Sequence, residues 1–176
     1  MTPSEPPLPA QGPGRIRRDG TVLGFDVGAR RIGVAVGSAF GHGARALAVI
    51  DVHAHGPDWA LLDRLRKEWR PDGLIVGDPM SLEGGDQPAR RRAHAFARAL
   101  HARYGLPVAL VDERASSIEA AHRFAADRAQ GRKRRRDAEA LDAVAAAVII
   151  ERWLQSPDDA LDLSQLDARP APPPTA

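Results

Sequence analysis

The chain contains no cysteine among its 176 residues. Disulfide bonds, zinc sites with thiolate ligands and cysteine nucleophiles are therefore excluded, and the composition fits a reducing compartment. The longest apolar run, AVAAAVII at residues 143–150, is much shorter than the ~20 residues that a membrane-spanning helix needs. The N-terminal residues also lack the apolar stretch of a signal peptide, so we expect a cytoplasmic protein.

Groups that can pack in a core are concentrated in the middle of the chain. Ten of the 15 prolines lie in residues 1–20 and 157–176, in stretches such as PSEPPLPAQGPG and ARPAPPPTA. We predict disordered tails over residues 1–20 and 155–176. The remaining segment, residues 21–154, has the usual length of one domain.

Lysine is almost absent, and 23 of the 25 basic residues are arginines, although the net charge is only +2. Arginine matches phosphate oxygens with two parallel donors, so arginine clusters near acidic residues indicate nucleic-acid binding. A solvated surface or a biased composition explains any single cluster equally well. The candidate nucleic-acid-binding residues are Arg30, Arg31, Arg114, Arg132, Lys133, Arg134, Arg135 and Arg136.

Hydrophobic periodicity predicts an α/β fold in the order β-β-β-α-β-α-β-α-α. We expect a mixed five-stranded sheet, in which an antiparallel meander precedes parallel crossovers, with helices on both faces. The first two strands form a hairpin whose turn is Gly28–Arg31. The predicted strands are residues 21–27, 31–37, 45–52, 73–79 and 106–114, and the predicted helices are residues 59–70, 93–104, 116–128 and 137–154.

Three acidic residues interrupt apolar segments: Asp26 in the first strand, Glu113 at the end of the fifth and Asp142 in the last helix. Taken singly, each can be a solvated residue at a strand end or on a helix surface. Asp142, however, lies between Leu141 and eight apolar residues, so no face of that turn is plainly exposed. If the first and fourth strands are neighbours, Asp26 and Glu113 approach each other at the sheet edge, and the last helix brings Asp142 across.

Three carboxylates at one place repel each other, and a bound divalent cation would offset this repulsion. Oxygen ligands without histidine or cysteine favour Mg²⁺ or Mn²⁺ over zinc. Such a site activates water for hydrolysis of a phosphodiester. The sequence therefore predicts a metal-dependent nuclease in which Asp26, Glu113 and Asp142 are both metal ligands and catalytic residues, and in which nucleic acid is the partner.

Five stretches of the chain resemble, in the same order, the YqgF family of Holliday junction resolvase-like proteins, also called pre-16S rRNA nucleases. They are GFDVGARRIGVAVG, LIVGDP, GGDQ, YGLPVALVDERASSIEA and LDAVAAAVIIERWL, within residues 22–154. The resemblance implies an RNase H-like fold, a divalent-metal phosphodiesterase site and a role in maturation of the 5′ end of 16S ribosomal RNA. It also implies that Asp26, Glu113 and Asp142 are the family's acidic site residues.

Two positions depart from the family's pattern. The family usually has leucine where this chain reads VGDP, and we expect the resulting Asp78 to be a solvated loop residue. A weak metal ligand or a charge that repels phosphate is the alternative. The family's arginine–proline pair after the hairpin is reduced to Arg45. Glu139, one helical turn before Asp142, is either a fourth ligand or a surface residue.

Three other functions fit parts of the pattern. A sugar or acyl kinase of the actin-like type also opens with a glycine-flanked aspartate in a hairpin, but it needs a second lobe that residues 21–154 cannot supply. A non-catalytic RNA-binding factor in ribosome assembly gains nothing from converging negative charge beside phosphate. A junction resolvase shares the fold, so fold alone does not choose between RNA and branched DNA. A resolvase would act as a two-fold dimer, whereas the sequence is compatible with a monomer or a homodimer.

Overall fold

The computed structural model describes residues 16–39, 43–79, 87–112 and 135–167. The strands are β1 (Thr21–Val27), β2 (Arg31–Ser38), β3 (Gly43–His53), β4 (Gly56–Pro57), β5 (Gly73–Asp78), β6 (Val108–Asp112) and β7 (Leu161–Asp162). The α-helices are α1 (Trp59–Trp69), α2 (Pro88–Tyr104), α3 (Arg135–Gln155) and α4 (Leu163–Asp167), and a short 3-10 turn covers Pro157–Asp159.

The strands form one sheet in the order β4-β3-β2-β1-β5-β6-β7. Antiparallel pairing joins β1 to β2 and β2 to β3, and parallel pairing joins β1 to β5 and β5 to β6. This is the predicted meander followed by parallel crossovers. The predicted count of five strands was wrong, because β4 and β7 add two strands of two residues each, too short to show an alternating pattern.

Alternation along β1 divides the interior into two cores. Leu23 and Phe25 belong to the larger core beneath α1 and α2, whereas Val22 belongs to the smaller core beneath α3. Each strand residue points to the face opposite its neighbour, so a central strand covered on both faces is apolar at nearly every position.

Glycines on the α3 face allow that helix to approach the sheet closely. A Cβ at Gly24 or at Gly37 would overlap the side chain of Ile150, and a Cβ at Gly33 would overlap the backbone of Asp142. The small residues of β1 and β2 therefore form a trough that receives α3, from Ile150 at one end to Asp142 at the other.

The helix predictions are confirmed for three segments. Helix α1 begins after Asp58, whose carboxylate accepts a hydrogen bond from the Leu61 N–H, and it ends before Pro71. Helix α2 begins at Pro88, earlier than its apolar stripe indicates, since proline is well suited to the first helical position. Helix α3 begins two residues before the predicted Asp137. The predicted helix at 116–128 lies outside the described residues.

The folded unit extends beyond the predicted bounds of 21 and 154. Ile16 is buried and fills the space above Gly73, while Leu163 of α4 is buried in the larger core. Strand β7 pairs with β6 through Asp162 and Ala109. These short apolar contacts fall in proline-rich, polar sequence, which is why composition assigned them to tails. None of the helices in the described ranges combines the length and apolar character that a membrane span requires.

Candidate active site

Asp26 lies near the carboxyl end of β1 and points toward α3. Its partner across the antiparallel pair is Gly33, and residues directly opposite each other project to the same face. Gly24, two positions earlier, faces Ile150 of α3, so Asp26 faces the same helix. The side chain is half-buried.

Asp142 reaches the same place from α3. Its backbone carbonyl lies directly over Gly33, the residue opposite Asp26. The Asp142 side chain is 29% exposed, so it is neither sealed in the core nor fully solvated. Asp26 and Asp142 are remote in sequence. Two of the three predicted acids therefore lie on the same face of the sheet, next to Gly33.

Arg31 forms an ion pair with Asp142. Its Nε–H donates a hydrogen bond of 2.9 Å to Asp142 Oδ2. The turn before it is held in place, because the Gly28 N–H donates to the Arg31 carbonyl at 2.9 Å. We predicted Arg31 as a phosphate ligand, and the structure places it in the site as the partner of a carboxylate.

Glu113 lies outside the described residues, but the strand that precedes it is placed. We expected the first and fourth predicted strands to be neighbours. This expectation is confirmed, because β1 pairs in parallel with β5, which is the fourth predicted strand. Strand β6 lies on the other side of β5, with Val111 beside Gly77. Ala109 and Val111 of β6 pack in the core beneath α3. The carboxyl ends of β1, β5 and β6 meet at one edge of the sheet.

The donor chemistry of the site fits a hard divalent cation. Asp26 and Asp142 offer carboxylate oxygens on one face, the ligands that Mg²⁺ and Mn²⁺ prefer. Within the described ranges, no group of three or more histidine, cysteine or acidic side chains is placed to hold a metal ion. The third predicted ligand, Glu113, and the candidate fourth, Glu139, are not among the side chains described there.

The predicted nucleic-acid contacts are placed only in part. Arg30 is exposed in the hairpin turn, beside the acids, and its carbonyl accepts a hydrogen bond of 2.9 Å from the Val52 N–H. Arg135 and Arg136 belong to the first turn of α3. The side chains of Arg114, Arg132, Lys133, Arg134, Arg135 and Arg136 lie outside the described part of the structure.

The expectation of a solvated Asp78 was wrong. Asp78 ends β5 with 1% of its surface exposed. Arg90 Nε–H donates to its Oδ1 at 3.1 Å, and His94 Nε2 lies 3.0 Å from the same oxygen. The Asp78 carboxyl group is therefore enclosed by two polar side chains of α2. The signal that sequence reasoning missed is the pair Arg90 and His94, four residues apart on one face of α2.

Arg45, the residue kept from the family's arginine–proline pair, packs away from the acids. Its guanidinium lies 5.0 Å from the centroid of the Trp69 ring, a cation–π contact. Arg45 therefore joins β3 to the end of α1.

The strand order and the parallel crossovers define an RNase H-like α/β protein. A family model described as "RuvX: Holliday junction resolvase" matches residues 20–156. The chain belongs to this family, which confirms the resemblance found in its sequence motifs.

Curated relatives agree with the family model. Proteins named "Putative pre-16S rRNA nuclease" from Xanthomonas axonopodis pv. citri (strain 306) and Xanthomonas euvesicatoria pv. vesicatoria (strain 85-10) are 75% and 73% identical to this chain. The alignments cover 84% and 85% of this chain and 95% and 97% of those proteins. The family and its relatives confirm the prediction that this protein is a nuclease.

Solved structures similar to this chain include the Thermus thermophilus RuvC structure, at 17% identity and a TM-score of 0.49, covering 81% of this chain and 99% of that chain. T. thermophilus RuvC in complex with Holliday junction substrate is 18% identical with the same TM-score, and the match covers 81% of this chain and 98% of that one.

Proposed function

We propose that this protein is a divalent-metal-dependent endonuclease that processes the 5′ end of the precursor of 16S ribosomal RNA in the cytoplasm. The observation that carries the proposal is that Asp26 and Asp142 both adjoin Gly33, Asp26 as its cross-strand partner and Asp142 through its backbone. A protein that only binds RNA would gain nothing from two acids directed at the place where phosphate must approach. The choice of substrate rests on the names of relatives that are 75% and 73% identical.

Asp26, Asp142 and Glu113 are the residues that would hold Mg²⁺ or Mn²⁺. Bound ions in such a site lower the pKa of water and offset the charge that develops on a phosphodiester in an in-line displacement. The carboxylates would fix the positions of such ions relative to the substrate. The half-buried position of both placed acids limits the number of water molecules that compete with the substrate.

Basic residues would hold the nucleic-acid backbone on either side of the acids. Arg30 is exposed in the hairpin turn, and Arg31 lies close enough to exchange its bond with Asp142 for a bond with phosphate. The basic segment 132–136 leads into the helix that bears Asp142. These contacts are independent of base identity, so affinity should fall steeply with salt concentration.

The second candidate substrate is a four-way DNA junction, which the description of the matching family favours. Resolution of a junction needs two symmetric cuts and therefore a two-fold dimer. Processing of one RNA end needs one active site, and a monomer suffices.

The test compares Asp26→Asn, Asp142→Asn and Glu113→Gln with the original protein on a precursor 16S RNA and on a four-way junction. Reactions contain Mg²⁺, Mn²⁺ or a chelator. We expect RNA cleavage to fall at least about a hundredfold in each variant, and RNA binding to stay equal or become tighter because a repulsive charge is removed. Asp159→Asn, an exposed acid outside the site, is the matched control.

Normal cleavage by all three variants would refute the site assignment. Cleavage of the junction alone would refute the RNA substrate and leave the site assignment intact. Full activity in chelator would refute the requirement for a metal ion.

A further inference from the structure

A cavity of about 280 Å³ lies at the carboxyl end of β1, on the face opposite the acids. Val27 and Gly28 of the hairpin line one side, and Trp59 at the start of α1 lines another. Ala95 and Phe96 of α2 complete the apolar wall. This volume lies just below the roughly 300 Å³ at which the usual range of small-molecule pockets begins, so the cavity suits one small flat group.

The aromatic wall is fixed by its own contacts. The Trp59 and Phe96 rings stack with centroids 5.9 Å apart and planes inclined by 22°. The Arg103 guanidinium lies 5.0 Å from the Trp59 centroid, and Phe25 packs edge-on against Phe96 at 5.3 Å. A pocket whose walls are already ordered costs a ligand little reorganisation.

The cavity and the candidate active site lie back to back at the end of one strand. Asp26 and Val27 are consecutive, and consecutive strand residues point to opposite faces. Arg92, an exposed residue of α2, contributes a cation to the lining of the cavity. Arg30 is exposed in the turn that separates the two features. An anionic chain that follows these cations must cross the end of β1.

We propose that this cavity binds one unstacked base of the nucleic-acid substrate, one or two nucleotides from the phosphate held at the acids. The inference rests on the proposed nuclease function and extends it to the form of the substrate. A base offers two apolar faces to the aliphatic groups of the lining, such as Val27 and Ala95, and its phosphate offers a partner to Arg92. Such recognition requires a single-stranded or locally opened strand, because a base within a continuous duplex cannot leave its stack without cost.

The test fills the cavity without altering the acids. Ala95→Leu places a larger apolar side chain in the lining at an exposed helix position, so the fold is retained. Ala102→Leu makes the same change at an exposed position of the same helix and is the matched control. Binding is measured in chelator with single-stranded RNA of about 12 nucleotides from the 5′ end of the 16S precursor, and with DNA of the same sequence. In each oligonucleotide, one abasic position is stepped along the chain.

For the original protein, we expect one abasic position to weaken binding about tenfold, the effect of returning roughly 50 Å² of apolar base surface to water. Ala95→Leu should weaken binding of intact RNA by a similar factor and abolish the effect of that abasic position. Ala102→Leu should behave as the original protein does.

An abasic scan that is flat in both RNA and DNA would overturn the base pocket. Retention of the abasic effect in Ala95→Leu would also overturn it. Neither result depends on cleavage, so failure of the pocket is distinguished from failure of the nuclease assignment, which the Asp26→Asn variant tests.

Discussion

Gly33 of β2 lies directly beneath the backbone carbonyl of Asp142, with no room for a side chain between strand and helix. The same glycine is the cross-strand partner of Asp26. One residue without a side chain therefore sets how closely the two acids can approach.

Gly33→Ala should separate the two acids. The added methyl group would overlap the Asp142 backbone, which cannot rotate away as a side chain can, so α3 must shift. We expect a loss of about 1–3 kcal/mol in the free energy of unfolding, the usual cost of overpacking. Cleavage should fall further than this loss explains when it is measured at a temperature where the variant is fully folded.

Urea unfolding and cleavage rates measure the two effects. Ala46→Val, which enlarges an exposed residue of β3, should change neither. A Gly33→Ala variant as active as Ala46→Val would show that the spacing of strand and helix does not govern the site.

Arg31→Gln should tighten binding of a divalent cation. Arg31 donates to Asp142 Oδ2, so its charge competes with a metal ion for that oxygen and repels the ion. We expect Mn²⁺ to bind several-fold more tightly in calorimetric titration, while RNA binding weakens because a phosphate partner is lost. Arg30→Gln, next in sequence but exposed, should weaken RNA binding and leave Mn²⁺ affinity unchanged. Equal Mn²⁺ affinity in the two variants would contradict this role of Arg31.

Asp78→Asn should destabilise the fold. The carboxylate is buried against Arg90 and His94, and its loss leaves a guanidinium with a weaker partner in a poorly hydrated place. We expect a decrease of about 2–3 kcal/mol in the free energy of unfolding, since Arg90 keeps some contact with water. The urea midpoint measures this change. Asp159→Asn at an exposed position serves as the comparison, and an equal midpoint in both variants would show that the buried cluster adds no stability.

The contact between α1 and α2 should make stability depend on acid pH. Arg103 and then Tyr104 hydrogen-bond to Asp63, and these contacts lower the pKa of that carboxyl from its usual 3.8 to about 2. The folded state therefore binds fewer protons than the unfolded state between these values. The stabilisation is present above pH 3.8 and is lost as the pH falls through 2.

Comparison of the original protein with Asp63→Asn isolates this effect. The difference between their urea midpoints should be largest at about pH 5 and should shrink toward about pH 2. A difference that stays constant over this interval would mean that Asp63 does not carry the dependence. Burial and the nearby Asp63 raise the pKa of Tyr104, so its hydroxyl remains a donor throughout.

Much of the fold could be predicted from the sequence, because its signals are local. The hairpin follows from alternating residues around the Gly28–Arg31 turn, and the parallel strands follow from short apolar runs bounded by glycine and proline. Asp26 and Asp142 were singled out because both acids break an apolar pattern, and the structure places both residues next to Gly33.

The missed features depend on contacts between segments far apart in sequence. Burial of Asp78 is made possible by Arg90 and His94 across the layer, and no pattern within β5 reveals them. The hydrogen bond between Arg31 and Asp142 joins residues that are 111 positions apart. The sequence therefore identified both charged residues as candidates, but it did not reveal that they bind each other. Strand β7 arises from two residues that pair only because β6 offers a free edge at Ala109.

The glycine trough beneath α3 also bears on when the proposed site can form during synthesis of the chain. Asp142 is carried by a helix near the end of the folded chain, whereas Asp26 is among the first residues of the sheet. A chain still under synthesis holds the early strands without their last layer, and domains fold as units once their segments are complete. On the proposed function, a newly made chain would complete its site only after α3 has left the ribosome and docked.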